Sequence, residues 1–284
     1  MKWEGRRQSD NFEDRRGMGT AGKVAAGGGA IGLIFLLIQL FLGGDSQEIT
    51  QAIQSQLENQ GSARTSAELT PEEKKTGEFI STILADTEDI WSSLFKQSGS
   101  TYYAPKLVLF SGATDSGCGG AKGSSGPFYC PADRKVYMDM SFFNVMKEKF
   151  GAKGGDFAIA YVISHEIGHH VQNQLGILEK VQRAKQSLSE AEANKLQVAV
   201  ELQADFFSGV WSHHDNKYLD AGDFEEAMNT AAAVGNDHMQ KTMQGYTVPE
   251  SYTHGTSAQR MFWFSKGFKS GDIKDGDTYS ALLK

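Results

Sequence analysis

The residues best spaced to do chemistry lie in Ser164-His165-Glu166-Ile167-Gly168-His169-His170. On a helix, positions four apart stand one above the other, so His165 and His169 can offer two imidazole nitrogens to one metal ion, with Glu166 beside them. A carboxylate so placed can take a proton from a water activated by the metal and later hand it to a leaving group, which is metal-hydrolase chemistry. His170 is off that face and reads as a supporting or surface residue. Two histidines still need a third protein ligand, and Glu201-Leu202-Gln203-Ala204-Asp205 supplies a candidate. Glu201 and Asp205 are again four apart. In zinc hydrolases a carboxylate completes the set and a second carboxylate accepts the distal N–H of a ligand histidine. We therefore assign Glu201 to the metal and Asp205 to the support of a histidine. The ordinary reading of such a pair is a solvated acidic face. The flanks Val198, Ala199, Val200, Leu202, Ala204, Phe206 and Phe207 are apolar nearly all round, however, and a buried carboxylate needs a partner.

Helices must carry both motifs. Gly154-Gly155-Asp156 is a start signal; Ala160, Ile163, Ile167, Val171 and Leu175 recur at spacings of three and four, with Gly176 available as a stop. That stripe faces a core while His165, Glu166 and His169 look away from it. Gly168 weakens a helix by about 1 kcal/mol relative to Ala, so close approach of a neighbouring element is expected there. Ser189 followed by Glu192 is a capping box, and good helix formers continue through Phe207. Upstream, Thr70-Pro71-Glu72-Glu73 opens another helix with Pro at its first position, and Phe79, Ile80, Ile83, Leu84, Ile90, Trp91, Leu94 and Phe95 form its apolar stripe. Residues 106–110 and 135–140 read as strands flanking a Gly-rich loop with the two cysteines, Cys118 and Cys130.

The N-terminal quarter differs in character. Residues 24–44 carry no charge, 21 positions with an apolar heart at 31–42, about the length a spanning helix requires. A cleaved signal peptide is the alternative, but the preceding region is long and no A-x-A site follows Leu42. Lys2, Arg6, Arg7, Arg15, Arg16 and Lys23 precede the run, whereas Asp45 and Glu48 follow it, so the positive-inside rule leaves 1–23 in the cytoplasm and the remainder outside. Residues 45–69 are rich in Gln, Ser, Glu and Ala and read as a linker to a globular part at 70–284. Export would oxidise Cys118 and Cys130 to a disulfide, a staple of about 3 kcal/mol in the chain-entropy estimate. Half of a cysteine zinc site competes with that reading, but no further cysteine completes it. The formal charge of −7, with no strong basic patch beyond the N-terminus, argues against a nucleic-acid partner.

H-E-I-G-H followed by E-L-Q-A-D resembles the glutamate-ligand zincins, the clan of the thermolysin-like peptidases. More closely, the chain resembles the bacterial neutral zinc metallopeptidase family. That match rests on Trp3-Glu4-Gly5-Arg6-Arg7 with the stretch 11–17, on Cys118-Gly119 and Gly126-Pro127-Phe128-Tyr129-Cys130-Pro131, on both metal motifs, and on His254-Gly255-Thr256-Ser257. The resemblance implies a membrane-anchored zinc peptidase. In that clan a histidine and an arginine outside the metal motifs assist at the tetrahedral intermediate, which points to His254 and Arg260. The competing reading of these two is a helix-cap histidine and a surface arginine.

These readings combine into an α+β protein: a mostly helical zincin-like domain with a small β-sheet, preceded by one N-terminal transmembrane helix. It is expected to bind one zinc ion per chain and to hydrolyse peptide bonds of a peptide or protein substrate in the cell envelope of a bacterium, held in the cytoplasmic membrane by a single pass. Two alternatives are a catalytically silent, zinc-stabilised envelope binding protein and a zinc hydrolase of a non-peptide amide or ester. Retention of Glu166 argues against the first, since a structural zinc site closed by four protein ligands has no use for a base.

Overall fold

The computed structural model describes residues 1–16, 68–123 and 126–282. Helices dominate, and one small mixed sheet stands beside them, the α+β arrangement expected. The expected membrane helix at 24–44 and nearly all of the expected linker lie outside the described residues. Among the described residues no helix is long and apolar enough to cross a membrane.

The chain opens on a short strand, β1 (Phe12–Asp14), followed by α1 (Pro71–Gln97). Thr70 caps α1 in a full capping box with Glu73, and Pro71 occupies the first turn, where its missing N–H costs nothing. Next come β2 (Lys106–Phe110), the hairpin β3 (Ala113–Ser116) and β4 (Gly119–Lys122), then β5 (Phe128–Cys130) and β6 (Lys135–Asp139). The main sheet has the order β1-β2-β6-β5; β1 and β6 run parallel to β2, and β5 runs antiparallel to β6 at the edge. Side chains alternate across it. Leu107, Leu109, Val136 and Met138 join the large helical core, whereas Val108, Phe110, Cys130 and Tyr137 form a second small core on the opposite face. Cys118 is joined to Cys130 by a disulfide, which ties the β3–β4 hairpin to edge strand β5.

The remaining helices are α2 (Ser141–Phe150), α3 (Asp156–Gln174), α4 (Ile177–Lys185), α5 (Glu190–His214), α6 (Asp223–Ala233), α7 (Asn236–Gln244), α8 (Ser257–Ser270) and α9 (Thr278–Leu282). The centre of the molecule is α3 packed on α5, with α8 on the other flank of α5. Glycines set both distances. A Cβ on Gly168 would stand 3.0 Å from the Ala204 carbonyl oxygen, so the glycine within the motif is what lets α3 approach α5. Gly209 and Gly267 do the same for α5 and α8, where an added Cβ would fall 2.1 Å from a backbone oxygen of the opposing helix.

Two expectations need correction. Leu175, assigned to the core stripe of the motif helix, is 43% exposed, because α3 ends at Gln174 and the turn at Gly176 carries the chain away from the core. The N-terminal region 1–23, expected to be a separate cytoplasmic tail, is not separate over its described part. Residues 1–16 pack on the globular body, with β1 hydrogen-bonded into the main sheet and Trp3 edge-on to Phe79 of α1.

Candidate metal centre and active site

Helix α3 presents His165 and His169 one turn apart, their rings nearly perpendicular with centroids 4.8 Å apart. The neighbouring α5 brings Glu201 to them. Its Oε2 lies 3.3 Å from His165 Nε2 and 3.4 Å from His169 Nε2, and the three residues form a group able to hold one metal ion. Two atoms bound to one tetrahedral zinc at about 2.0–2.1 Å would stand roughly 3.3 Å apart, so the donor set fits zinc.

The opposite atom of each ligand is held by a neighbour. His165 Nδ1 donates to Asp205 Oδ1 at 2.9 Å, which turns Nε2 toward Glu201. His169 Nδ1 donates to Gln172 Oε1 at 2.9 Å, and Gln172 is itself fixed by donating to the Val200 carbonyl at 2.7 Å and to Gln203 Oε1 at 3.1 Å. Glu201 Oε1 accepts from Gln197 Nε2 at 2.8 Å, whose own oxygen accepts from Lys185 Nζ on α4. With Oε1 occupied, Glu201 offers the site its single oxygen Oε2. Gln172 and Gln197 were not anticipated. The available signal was their spacing, three residues after His169 and four before Glu201, which puts each on its ligand's own helix face.

Behind Asp205 stands a buried cluster. Arg260 of α8 grips both oxygens of Asp205, Nε to Oδ2 and Nη2 to Oδ1, each at 2.8 Å. Tyr161 Oη donates to Oδ1 at 2.5 Å, and Arg260 also reaches Tyr161 Oη at 3.2 Å and the Val234 carbonyl at 3.3 Å. Burial opposes ionisation of Asp205, but Arg260 and then His165 outweigh it and hold the carboxyl down at about 2. Burial also opposes protonation of His165, yet the Asp205 charge raises that imidazole to about 9. In the same way Glu201 is held well below the ordinary carboxylate range against its burial, chiefly by His169.

All of these ligands border a cleft of about 590 Å³. Glu166 is 8% exposed and lines it, as does His254 from the loop before α8. That loop is pinned by Asn236, whose Oδ1 accepts from the His254 backbone N–H at 2.6 Å and whose own N–H donates to the Gly255 carbonyl at 2.8 Å. Thr256, not His254, caps α8. Burial pushes the His254 imidazole down to about 4, so near neutrality it is an uncharged donor or acceptor. Arg260 also borders the cleft, with its N–H groups directed at Asp205, Tyr161 and the Val234 carbonyl. His170 is neither a ligand support nor a surface residue. It is 2% exposed, with Nε2 donating to the Tyr103 carbonyl at 2.7 Å and Nδ1 3.0 Å from Tyr129 Oη, and it locks α3 to the β5 side of the fold.

The chain belongs to the family described as "Putative neutral zinc metallopeptidase", whose model matches residues 1–279. Zinc is the cofactor that this membership and the His165, His169 and Glu201 group together support. Among its relatives, the uncharacterized protein YpfJ of Escherichia coli (strain K12) is 47% identical over 292 residues, covering 100% of each chain. The uncharacterized protein Rv2575 of Mycobacterium tuberculosis (strain ATCC 25618 / H37Rv) is 40% identical over 215 residues, 72% of each chain. No solved structure matches.

Proposed function

We propose that the protein hydrolyses peptide bonds of cell-envelope proteins, with zinc held by His165, His169 and Glu201. One observation carries this reading: three ligand atoms converge on the wall of a cleft that also holds Glu166. A structural zinc site is closed by four protein ligands, whereas three ligands beside a cavity leave room for water and substrate. Zinc bound there would polarise a water and a scissile carbonyl. Glu166 takes a proton from that water and delivers it to the leaving amine nitrogen. His254 donates an N–H to the carbonyl oxygen as negative charge grows on it. Asp205 holds His165 in the tautomer that presents Nε2, and Arg260 and Tyr161 hold Asp205; these three position and do not touch substrate.

A peptide is favoured over another amide or ester by the edge strand. Gly126, Pro127, Phe128 and Tyr129 line the cleft, and β5 is the terminal strand of its sheet. An extended peptide can add to such an edge by backbone hydrogen bonds, while cleft side chains select among its residues. Attachment to the bacterial cytoplasmic membrane through the uncharged run at 24–44 belongs to the same proposal. The test compares new protein N-termini in envelope fractions from cells carrying the native chain or Glu166→Gln. Cleavage products confined to the native strain are expected; identical sets in the two strains would remove the reading.

A further inference from the structure

A chain with one spanning helix at 24–44 would carry residues 1–16 on one face of the bilayer and the domain on the other, separated by about 30 Å of hydrocarbon. The contacts of residues 1–16 do not permit this. In β1, Phe12, Glu13 and Asp14 register with Leu107, Val108 and Leu109 of β2, and the Leu107 N–H donates to the Asn11 carbonyl at 3.0 Å. Ser9 is buried against α1, where its N–H donates to the Ser81 carbonyl at 3.1 Å. Gly77 of α1 makes room for Arg16, because a Cβ there would meet the Arg16 Nη2 at 2.9 Å.

The charges tell the same story. Arg6 is ion-paired with the buried Asp86, lies 3.5 Å from the buried Asp215, and stacks over the Tyr218 ring at 3.2 Å. Arg7 reaches Glu88 at 3.0 Å and Asp89 at 2.8 Å. The Met1 ammonium stands 3.4 Å from both Asp220 and Asp223. Arg6 and Arg7, two of the basic residues that would mark a cytoplasmic tail, therefore help dock this segment, on acidic partners drawn from α1 and from 215–223.

From these contacts we infer that residues 1–16 are an integral part of the globular domain and occupy the same compartment as it does. The chain leaves this body at Arg16 and rejoins it at Glu68, so both of these ends lie on the same side of any bilayer. The single-pass topology expected from the charge distribution is replaced by one in which both flanks of the uncharged run share a side. This inference stands whether or not the cleft is a peptidase site.

The test uses the full-length chain in its native membrane. Single reporters Asp10→Cys and Lys217→Cys, both at exposed positions, are exposed to a membrane-impermeant maleimide in intact and in lysed cells, with the parent chain as background. Both reporters should be labelled, or both protected, to the same extent before lysis. Labelling of one with protection of the other overturns the inference. A second measurement needs no substitution: zero-length carbodiimide coupling should join Lys75 to Glu4, 2.7 Å apart, as it joins Lys74 to Glu68, 3.2 Å apart. Formation of the Lys74 product without the Lys75 product would also overturn it.

Discussion

Two buried clusters in this protein are each built around one arginine, and they are balanced differently. Behind the metal ligands, Arg260 faces a single carboxylate, Asp205, whose two oxygens both receive guanidinium hydrogen bonds; Tyr161 and His165 supply more donors. At the docked N-terminus, Arg6 faces two carboxylates, Asp86 and Asp215, and in each of them one buried oxygen finds no hydrogen-bond partner among the described residues. Asp205 is accordingly held down at about 2. Asp86 is pushed up to about 7 and Asp215 to about 6, in both cases chiefly by burial, with Arg6 opposing. Matching charge one to one keeps a carboxylate ionised, as an orienting group beside a ligand histidine must be. Sharing one cation between two carboxylates leaves a site whose strength depends on pH.

Their contributions to stability run in opposite directions. Asp205, with its pKa below the unfolded value, stabilises the fold fully above about pH 4 and loses that contribution as pH falls toward 2. Asp86 and Asp215, with raised values, contribute fully below about pH 4 and lose the contribution as pH rises through about 6 and 7.

Removing the arginines should break this comparison open. Arg260→Ala leaves Asp205 charged and buried, so it should cost about 3–5 kcal/mol in denaturant unfolding, by similar amounts at pH 6 and pH 8. No loss at either pH would mean that Asp205 is not held ionised by Arg260 as described. His254→Ala probes the cleft side of the same region. It should keep fold and zinc but lose about a hundredfold in kcat on a peptide substrate, with little change in KM. An unchanged kcat would take His254 out of the reaction.

The glutamines separate support by neutral amides from support by Asp205. Gln172→Ala and Gln197→Ala should each weaken zinc binding about tenfold to a hundredfold, measured by chelator competition, without the stability loss of the Arg260 variant. Unaltered affinity in both would confine ligand support to Asp205. Because Asp205 raises His165 to about 9, zinc binding should also release protons and strengthen as pH rises from 6 to 8; a flat dependence would contradict that shift. Arg6→Ala should have the smallest effect, about 1–3 kcal/mol at pH 8 and less at pH 5, where Asp86 and Asp215 can take up protons instead. Equal losses at both pH values would place that cluster in the same class as Arg260.

What could be read from the sequence followed the range of the interactions. His165, Glu166, His169, Glu201 and Asp205 sit at helical spacings, and the Gly154-Gly155-Asp156 start and the capping box at Ser189 mark their helices locally, so this half of the centre needed no tertiary information. Gly168 announced a close approach but not its partner, which is the backbone of α5 at Ala204. Strand β1 was illegible because three residues, Phe12–Asp14, carry no periodicity of their own and gain a partner only 95 positions later, where Phe12 meets Leu107. Arg6 and Arg7 were read by charge sign, a statement about membranes, when their acidic partners at Asp86, Glu88 and Asp215 lay too far along the chain to be recognised. His170 was misplaced for a related reason: adjacency to a motif says nothing about the Tyr103 carbonyl and the Tyr129 hydroxyl, to which its ring nitrogens are hydrogen-bonded.

The central claim is that His165, His169 and Glu201 hold zinc while Glu166 acts on water, and these roles separate in a single variant. Zinc content and peptide hydrolysis should be measured side by side on the purified native chain and on Glu166→Gln. The account predicts one zinc per chain in both proteins and hydrolysis in the native chain alone. Hydrolysis by Glu166→Gln at the native rate, or loss of its zinc, would contradict it.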